Sequence, residues 1–354
     1  MESIIGEHQI CDLPWGQLYV SSAGQVFPCN FLQNQVSLGD IATRSLIEIW
    51  RGPEMAAFRE AHRAGRQGDC SDRQKRYFCY LLHRDLGTSQ QAMNVSAIPK
   101  YPKRLDVMVD SACNLKCVMC TNIFEPSGGL KNEHFWTAND ELWQNLEELE
   151  VVGGEPLLSR HFYRLANIVS SSNPGCRWRM TTNAAYPIRQ ELKEILLRLR
   201  IQTFAMSIDS LDPKTFETIR VHSNFKKIVA NVDQFCELLG KRPETTLAIS
   251  FLIQKLNAFE LPDLFPWAAA RGARLNFTLL RAPSEFSIFE WPEEERERLV
   301  RHYSKANESL YSLRLSHLIK RIFDSLSSFR KLELAEVVAR NLADSSARLT
   351  GATA

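Results

Sequence analysis

From Arg104 onward the chain alternates between two patterns. Short runs rich in apolar and β-branched residues predict strands at 104–110, 149–152, 177–182, 203–208, 246–253 and 274–279. Longer stretches with apolar positions every three or four residues predict helices at 140–148, 160–170, 188–199, 224–239 and 260–271. Strands that each lead into a helix imply a parallel sheet with right-handed crossovers. Six such units fall short of the eight that close a full barrel. In sheets of this kind ligands gather at the C-terminal ends of the strands.

The flanks read differently. In residues 1–100, QLYVSSAGQVFPCNF predicts a hairpin turning at residues 21–24, and SLIEIWRGPEMAAFREAHRAG predicts a helix interrupted near Gly52-Pro53. The two prolines between Ser96 and Lys103 mark a linker. Beyond Ala282 the pattern becomes polar and helical, with Pro292 and three glutamates signalling a helix start, and residues 345–354 reading as a frayed end. The expected organisation is a small α+β, cysteine-rich module at 1–100, a β/α body at 101–281 and a helical C-terminal extension at 282–354.

A net charge of +2 over 354 residues gives no strong pull toward nucleic acid or anionic membrane. No apolar stretch nears the ~18 residues of a membrane span, and no secretory signal is visible at the N-terminus. The expected location is cytoplasmic, with no nucleic-acid or membrane partner. In a reducing compartment nine cysteines read as ligands, catalysts or buried thiols rather than as disulfides.

Three of them carry the chemistry. Cys113, Cys117 and Cys120 stand in VDSACNLKCVMC, spaced C-x3-C-x2-C just after the first strand of the body. Three thiolates can hold three irons of a 4Fe–4S cube and leave the fourth open to a substrate or cofactor, which a four-cysteine electron carrier does not do. A structural zinc site calls for a fourth protein ligand, and none stands nearby. The second strand ends in VVGGEPLL (Gly153, Gly154, Glu155), the third in Thr181-Thr182-Asn183 and the fourth in Ser207-Ile208-Asp209, with Arg220 following. Polar groups thus arrive at successive strand ends around one mouth. The plain alternatives are a tight turn at Gly153-Gly154, a helix cap at Asp209 and a surface position for Arg220.

With these residues assembled, the chain resembles the radical S-adenosylmethionine (radical SAM) enzymes, in the cysteine triplet, in GGEP and in the strand order, over roughly 104–280. The resemblance implies a partial (β/α)6 TIM-type barrel. It implies a 4Fe–4S cluster on Cys113, Cys117 and Cys120, with S-adenosylmethionine on the open iron, split to a 5′-deoxyadenosyl radical that takes hydrogen from substrate. Gly153, Gly154 and Glu155 match the segment that meets the cofactor's amino group. Ser207 and Asp209 match positions near its ribose or carboxylate, and Arg220 an arginine that pairs with the carboxylate. Asn183 belongs to a TNA where the family more usually has TNG.

The N-terminal module resembles the SPASM/twitch type, in CDLPWGQLYVSSAGQVFPCNF and in Gly24 five residues before Cys29. That resemblance implies an auxiliary 4Fe–4S cluster on Cys11, Cys29, Cys70 and Cys79, used to ligate substrate or, with four cysteines bound, as an electron relay; a structural zinc site or a degenerate module is the plain alternative. The pattern departs from the family at a C-x2-C pair, where Arg76 stands three before Cys79. His83 is a lesser ligand candidate, and Cys176 and Cys236 read as buried thiols. The basic run Arg59, His62, Arg63, Arg66, Arg73, Lys75 and Arg76 reads as a solvated helix face, and Trp136, Trp143 and Trp267 as core. The implied partners are an external one-electron reductant such as flavodoxin or ferredoxin, and a small-molecule substrate. A ribosomal peptide is the alternative substrate, and a non-catalytic iron–sulfur sensor or electron carrier the alternative class.

Overall fold

The computed structural model describes residues 13–32, 36–64, 98–120, 129–310 and 312–349. Six parallel strands form its body: β4 (Arg104–Asp110), β6 (Glu148–Gly153), β7 (Arg177–Thr182), β8 (Arg200–Ser207), β10 (Thr246–Ile253) and β11 (Arg274–Leu279). They lie side by side in chain order. Side chains alternate between two unlike faces. Leu105, Val107, Leu149, Val151, Trp178, Met180, Phe204, Met206, Ile249 and Phe251 are buried in one cluster with Phe162, Leu165, Leu192, Ile228 and Leu264 of the crossover helices. The other face carries Arg104, Asp106, Glu150 and Arg179, with Asp106, Glu150, Arg179 and Thr203 in register across four strands. A sheet with its helices on one face and polar groups on the other is barrel-like rather than doubly wound. The fold is thus a partial, open (β/α)6 barrel.

Local chemistry sets the helix limits. The crossover helix Arg160–Ser172 starts at Ser159, whose hydroxyl accepts the His161 N–H, and buries Phe162, Leu165, Ala166 and Val169 on one stripe. Two differences from the sequence reading stand out. The stretch 140–148 is helical only over Asp140–Asn145, after a separate short helix Glu133–Thr137, and the next strand already begins at Glu148. An additional helix, Pro213–Ile219, follows β8, capped by Asp212, whose carboxylate accepts the Thr215 N–H.

The N-terminal hairpin is β1 (Gln17–Val20) and β2 (Gln25–Phe27), with Gly24 at φ +90 in the turn and a short β3 (Gly39–Asp40) beyond. It extends the barrel sheet, because β1 pairs in parallel with β4, Gln17 opposite Arg104 and Leu18 opposite Leu105. Two helices follow. α1 (Leu46–Arg51) starts on a Ser45–Glu48 capping box, and α2 (Pro53–Arg63) starts at Pro53 after the extended Gly52. The expected linker is tied down over its described part: Trp50 donates to the Pro99 carbonyl (3.0 Å) and Arg51 to that of Lys100 (3.1 Å).

At the far edge lie three C-terminal helices, Glu293–Leu310, Leu313–Asp324 and Ser328–Leu349. Arg314 donates to the carbonyls of Leu275 (3.4 Å) and Phe277 (3.0 Å) on the outer edge of β11 and stacks over the Phe277 ring. Edge carbonyls that would otherwise invite another strand are thereby occupied. Among the described residues no helix is long and apolar enough to cross a membrane.

Candidate radical and iron–sulfur site

The loop after β4 carries the cysteine triplet and is clamped from three sides. First, it lies on the end of β6: Gly154 N–H donates to the Asp110 carbonyl (2.9 Å) and Glu155 N–H to that of Ala112 (3.0 Å). A Cβ on Gly154 would stand 2.2 Å from the Ala112 carbonyl oxygen, and one on Gly153, at φ +152, would stand 2.3 Å from that of Asp110. The two glycines are therefore required by the cysteine loop's own backbone, a closer constraint than the ligand approach expected from sequence. Second, Asn114 and Asn183 bridge it to the end of β7. Asn183 Nδ2 donates to Asn114 Oδ1 (2.9 Å) and faces Cys113 Sγ at 3.5 Å, while Asn114 Nδ2 reaches the Ala185 carbonyl (2.7 Å). Third, β5 (Lys116–Cys117) pairs antiparallel with β9 (Arg220–Val221), and Val118 N–H donates to the Ile219 carbonyl.

Burial separates groups a ligand can reach from groups that hold others in place. Gly153, Gly154 and Ser207 are half-buried. Glu155 is 1% exposed, and its carboxylate accepts from Thr182 Oγ1 (2.9 Å), Asn183 N (2.7 Å) and Leu157 N (3.2 Å). Burial pushes its pKa up to about 7, against the pull of those donors. Asp209 has no exposed surface. It accepts from Arg220 Nε (2.8 Å) and Nη2 (2.6 Å) through one oxygen and from Leu252 N (2.8 Å) through the other. Neither plain alternative from sequence holds here: Asp212, not Asp209, caps the following helix, and Arg220 is buried. Ala184, the departure from TNG, sits at φ +54, where the usual glycine avoids a cost of ~1–2 kcal/mol. Asn114 and Asn257, whose amide donates to the Asp209 carbonyl (2.7 Å), were not singled out from sequence; an asparagine amid loop residues carries no distinctive spacing.

The thiols fit an iron–sulfur cube better than a single ion. Among the described residues no three His, Cys, Asp or Glu side chains converge closely enough to hold one metal ion. Zinc needs every sulfur at ~2.3 Å from one centre, whereas a cube presents a separate iron to each thiolate. Burial pushes the Cys117 thiol up to about 11, although the Arg220 guanidinium, 4.0 Å from its sulfur, pulls the other way. Burial also raises Cys113. An iron bound here would have to displace these protons, and the donors at Arg220 and Asn183 would favour the thiolates.

Of the auxiliary set, Cys29 is buried just beyond β2. Phe27 lies opposite Tyr19, which lies opposite Asp106, so β2 runs toward the N-terminal end of β4 and Cys29 lies at the end of the sheet opposite Cys113. Cys11, Cys70, Cys79 and His83, with Arg66, Arg73, Lys75 and Arg76, fall outside the described residues. The solvated basic face is corrected at two positions. Arg59 and His62 are 2% and 1% exposed, because Arg59 donates to the carbonyls of Pro14 (2.8 Å) and Trp50 (3.0 Å) and stacks on the Trp50 ring. Trp136 and Trp143 are core, Trp267 is half-buried under Arg271, Cys176 is buried and Cys236 half-buried.

The family model described as the Radical SAM superfamily matches residues 109–265, and the SPASM model, an iron–sulfur cluster-binding domain, matches residues 11–72. The GTP 3′,8-cyclase of Vibrio cholerae is 25% identical over 189 residues, 51% of this chain and 55% of that protein. That of Haemophilus influenzae is 24% identical over 191 residues, with shares of 52% and 55%. The chain thus spans about half the length of the curated relatives it matches. Among solved structures, Streptococcus suis SuiB bound to S-adenosylmethionine is similar at a TM-score of 0.45 and 16% identity, over 82% of this chain and 69% of that one.

Proposed function

Because this chain belongs to the radical SAM superfamily and carries a SPASM iron–sulfur domain ahead of its barrel, we propose that it is a cytoplasmic enzyme using S-adenosylmethionine to remove hydrogen from a small polar molecule. The observation that carries this reading is the three-sided clamp on a loop bearing three cysteines at the C-terminal ends of the barrel strands. Cys113, Cys117 and Cys120 would hold the 4Fe–4S cluster, which with bound S-adenosylmethionine would supply radical hydrogen abstraction once a reductant such as flavodoxin or ferredoxin delivers one electron. Gly153 and Gly154 present backbone groups to the cofactor's amino end, and Ser207 presents its hydroxyl from the neighbouring strand end. Glu155, Asn183 and Asp209 are positioning residues: they join the ends of β6, β7, β8 and β10 so that the loop cannot drift. Arg220 couples Asp209 to Cys117 and holds its charge beside the thiolate. Cys29 would help to hold an auxiliary cluster, which would supply a sink for the electron that a substrate radical loses.

A small polar substrate is supported by the ionic face of the sheet. Arg104 Nε lies 2.8 Å from Asp106 and Arg179 Nε 3.8 Å from Glu150, with Arg104 also bonded to Glu150 and Gln17 to Asp106. Relatives named for a nucleotide reaction point the same way. Anaerobic incubation of reconstituted protein with dithionite and S-adenosylmethionine is expected to yield 5′-deoxyadenosine, and Cys117→Ala to abolish it. Absence of product from fully loaded protein would remove the reading.

A further inference from the structure

The pairing of β5 with β9 sets Arg220 directly opposite Cys117. All three guanidinium nitrogens are engaged there. Nε (2.8 Å) and Nη2 (2.6 Å) both go to one oxygen of Asp209, and Nη1 faces Cys117 Sγ at 4.0 Å. The cation lies over the Phe216 ring, 6.0 Å from its centre. The Nε–Nη2 fork, the part of an arginine best shaped to grip a carboxylate, is thus taken by Asp209 rather than left for a cofactor. Asp209 is equally fixed. It has no exposed surface, and its second oxygen accepts from Leu252 N (2.8 Å). The Asn257 amide ties the Asp209 carbonyl (2.7 Å) to that of Leu252 (3.0 Å), so the ends of β8 and β10 hold the carboxylate in place.

A cluster on Cys113, Cys117 and Cys120 would therefore have one thiolate beside a fixed cation and, behind that cation, a fixed anion. Iron–sulfur potentials follow the net charge around the cluster and the hydrogen bonds to its sulfurs. A cation beside a thiolate favours the reduced, more negative state and raises the potential, while an anion lowers it. Giving an electron to a sulfonium needs the low end of the iron–sulfur range. A lone arginine at this position would work against that. Asp209 cancels the charge and still leaves Nη1 facing the sulfur. Both groups are buried, so water and salt screen them far less than surface charges.

We propose that the Asp209–Arg220 pair sets the reduction potential of the cluster held by Cys113, Cys117 and Cys120, with Asp209 keeping it low against the pull of Arg220. The proposal rests on the radical SAM reading of the triplet, and the test separates the two. The full chain is reconstituted anaerobically with iron and sulfide and titrated with dithionite, the reduced cluster being followed by electron paramagnetic resonance. The signal missing from Cys117→Ala belongs to the triplet. Its midpoint potential is expected to rise in Asp209→Asn, to fall in Arg220→Gln, and to return close to the unaltered value in the double variant, where the site is neutral again. Opposite shifts that cancel mark a charge effect, which a packing defect does not reproduce. If Asp209→Asn holds no cluster, Arg220→Gln and the double variant still decide, by a fall in the first that the second reverses. Single variants that shift the same way, or no shift in any variant, would overturn the assignment and leave the cluster reading standing. If no signal of the loaded, unaltered protein depends on Cys117, the cluster reading and the assignment fall together.

Discussion

Asp209 and Arg220 form a buried pair whose polar atoms are spent inside the protein. Replacing Asp209 by Asn leaves the guanidinium buried beside Cys117 without its counter-charge, and unpaired buried charges of this kind cost about 3–5 kcal/mol. Chemical denaturation of the apoprotein should show a loss of that order; a change below about 1 kcal/mol would mean that solvent reaches the pair. Glu155 gives a pH signature. Its carboxyl titrates near 4.5 when exposed and at about 7 in the fold, because burial penalises the charge. The unfolded chain therefore releases this proton first. Glu155 contributes fully below pH ~4.5, and its contribution is lost as pH rises through 7. Asp106, likewise raised to about 7 by burial, adds to the same slope. Denaturation midpoints taken at pH 5.5 and pH 8 should differ less in Glu155→Gln than in the unaltered protein.

At the scale of the element, the cysteine loop depends on an absent side chain. Alanine at position 154 would place its Cβ 2.2 Å from the Ala112 carbonyl oxygen and 2.5 Å from that of Ser111, both backbone atoms that cannot turn aside. The loop must move, at about 1–3 kcal/mol or more, and the cysteines move with it. Gly154→Ala is expected to lower both the unfolding midpoint and the iron held by the triplet. Gly175→Ala is the control, since its nearest neighbour is 3.5 Å away at a side-chain atom. If Gly154→Ala bound iron as well as the control, the clamp would not be what positions the triplet.

Across the whole molecule, an open sheet has two edges to protect. One ends at the two-residue β3, and the other, β11, is covered by the C-terminal helices. Arg314 makes that cover specific, since its guanidinium satisfies the Leu275 and Phe277 carbonyls together with Asn276 Oδ1 (3.1 Å). Arg314→Ala should cost about 2 kcal/mol from lost charged hydrogen bonds. It should also raise light scattering on mild heating, because the freed edge can pair with another copy. Unchanged scattering would show that the helices protect β11 without this residue.

The barrel strands and the triplet were legible in the chain because both are local. A half-buried strand shows its period within six residues, and three cysteines spaced C-x3-C-x2-C show their pattern within eight. The turn at Gly24 and the break at Gly52-Pro53 were legible for the same reason, since backbone freedom is a property of single residues. What depended on long-range packing was not. The union of β1 with β4 joins residues 87 positions apart, as Gln17 to Arg104, and no local pattern announces it. Glu155 and Asp209 looked like groups for a ligand; their partners, Asn183, Thr182, Arg220 and Leu252, arrive from other strands and use them up. His62 reads from sequence as one basic residue in a run, and only the packing of α2 against Trp15 buries it. Local chemistry thus set which groups exist, and the packing of distant segments set which of them remain free to bind.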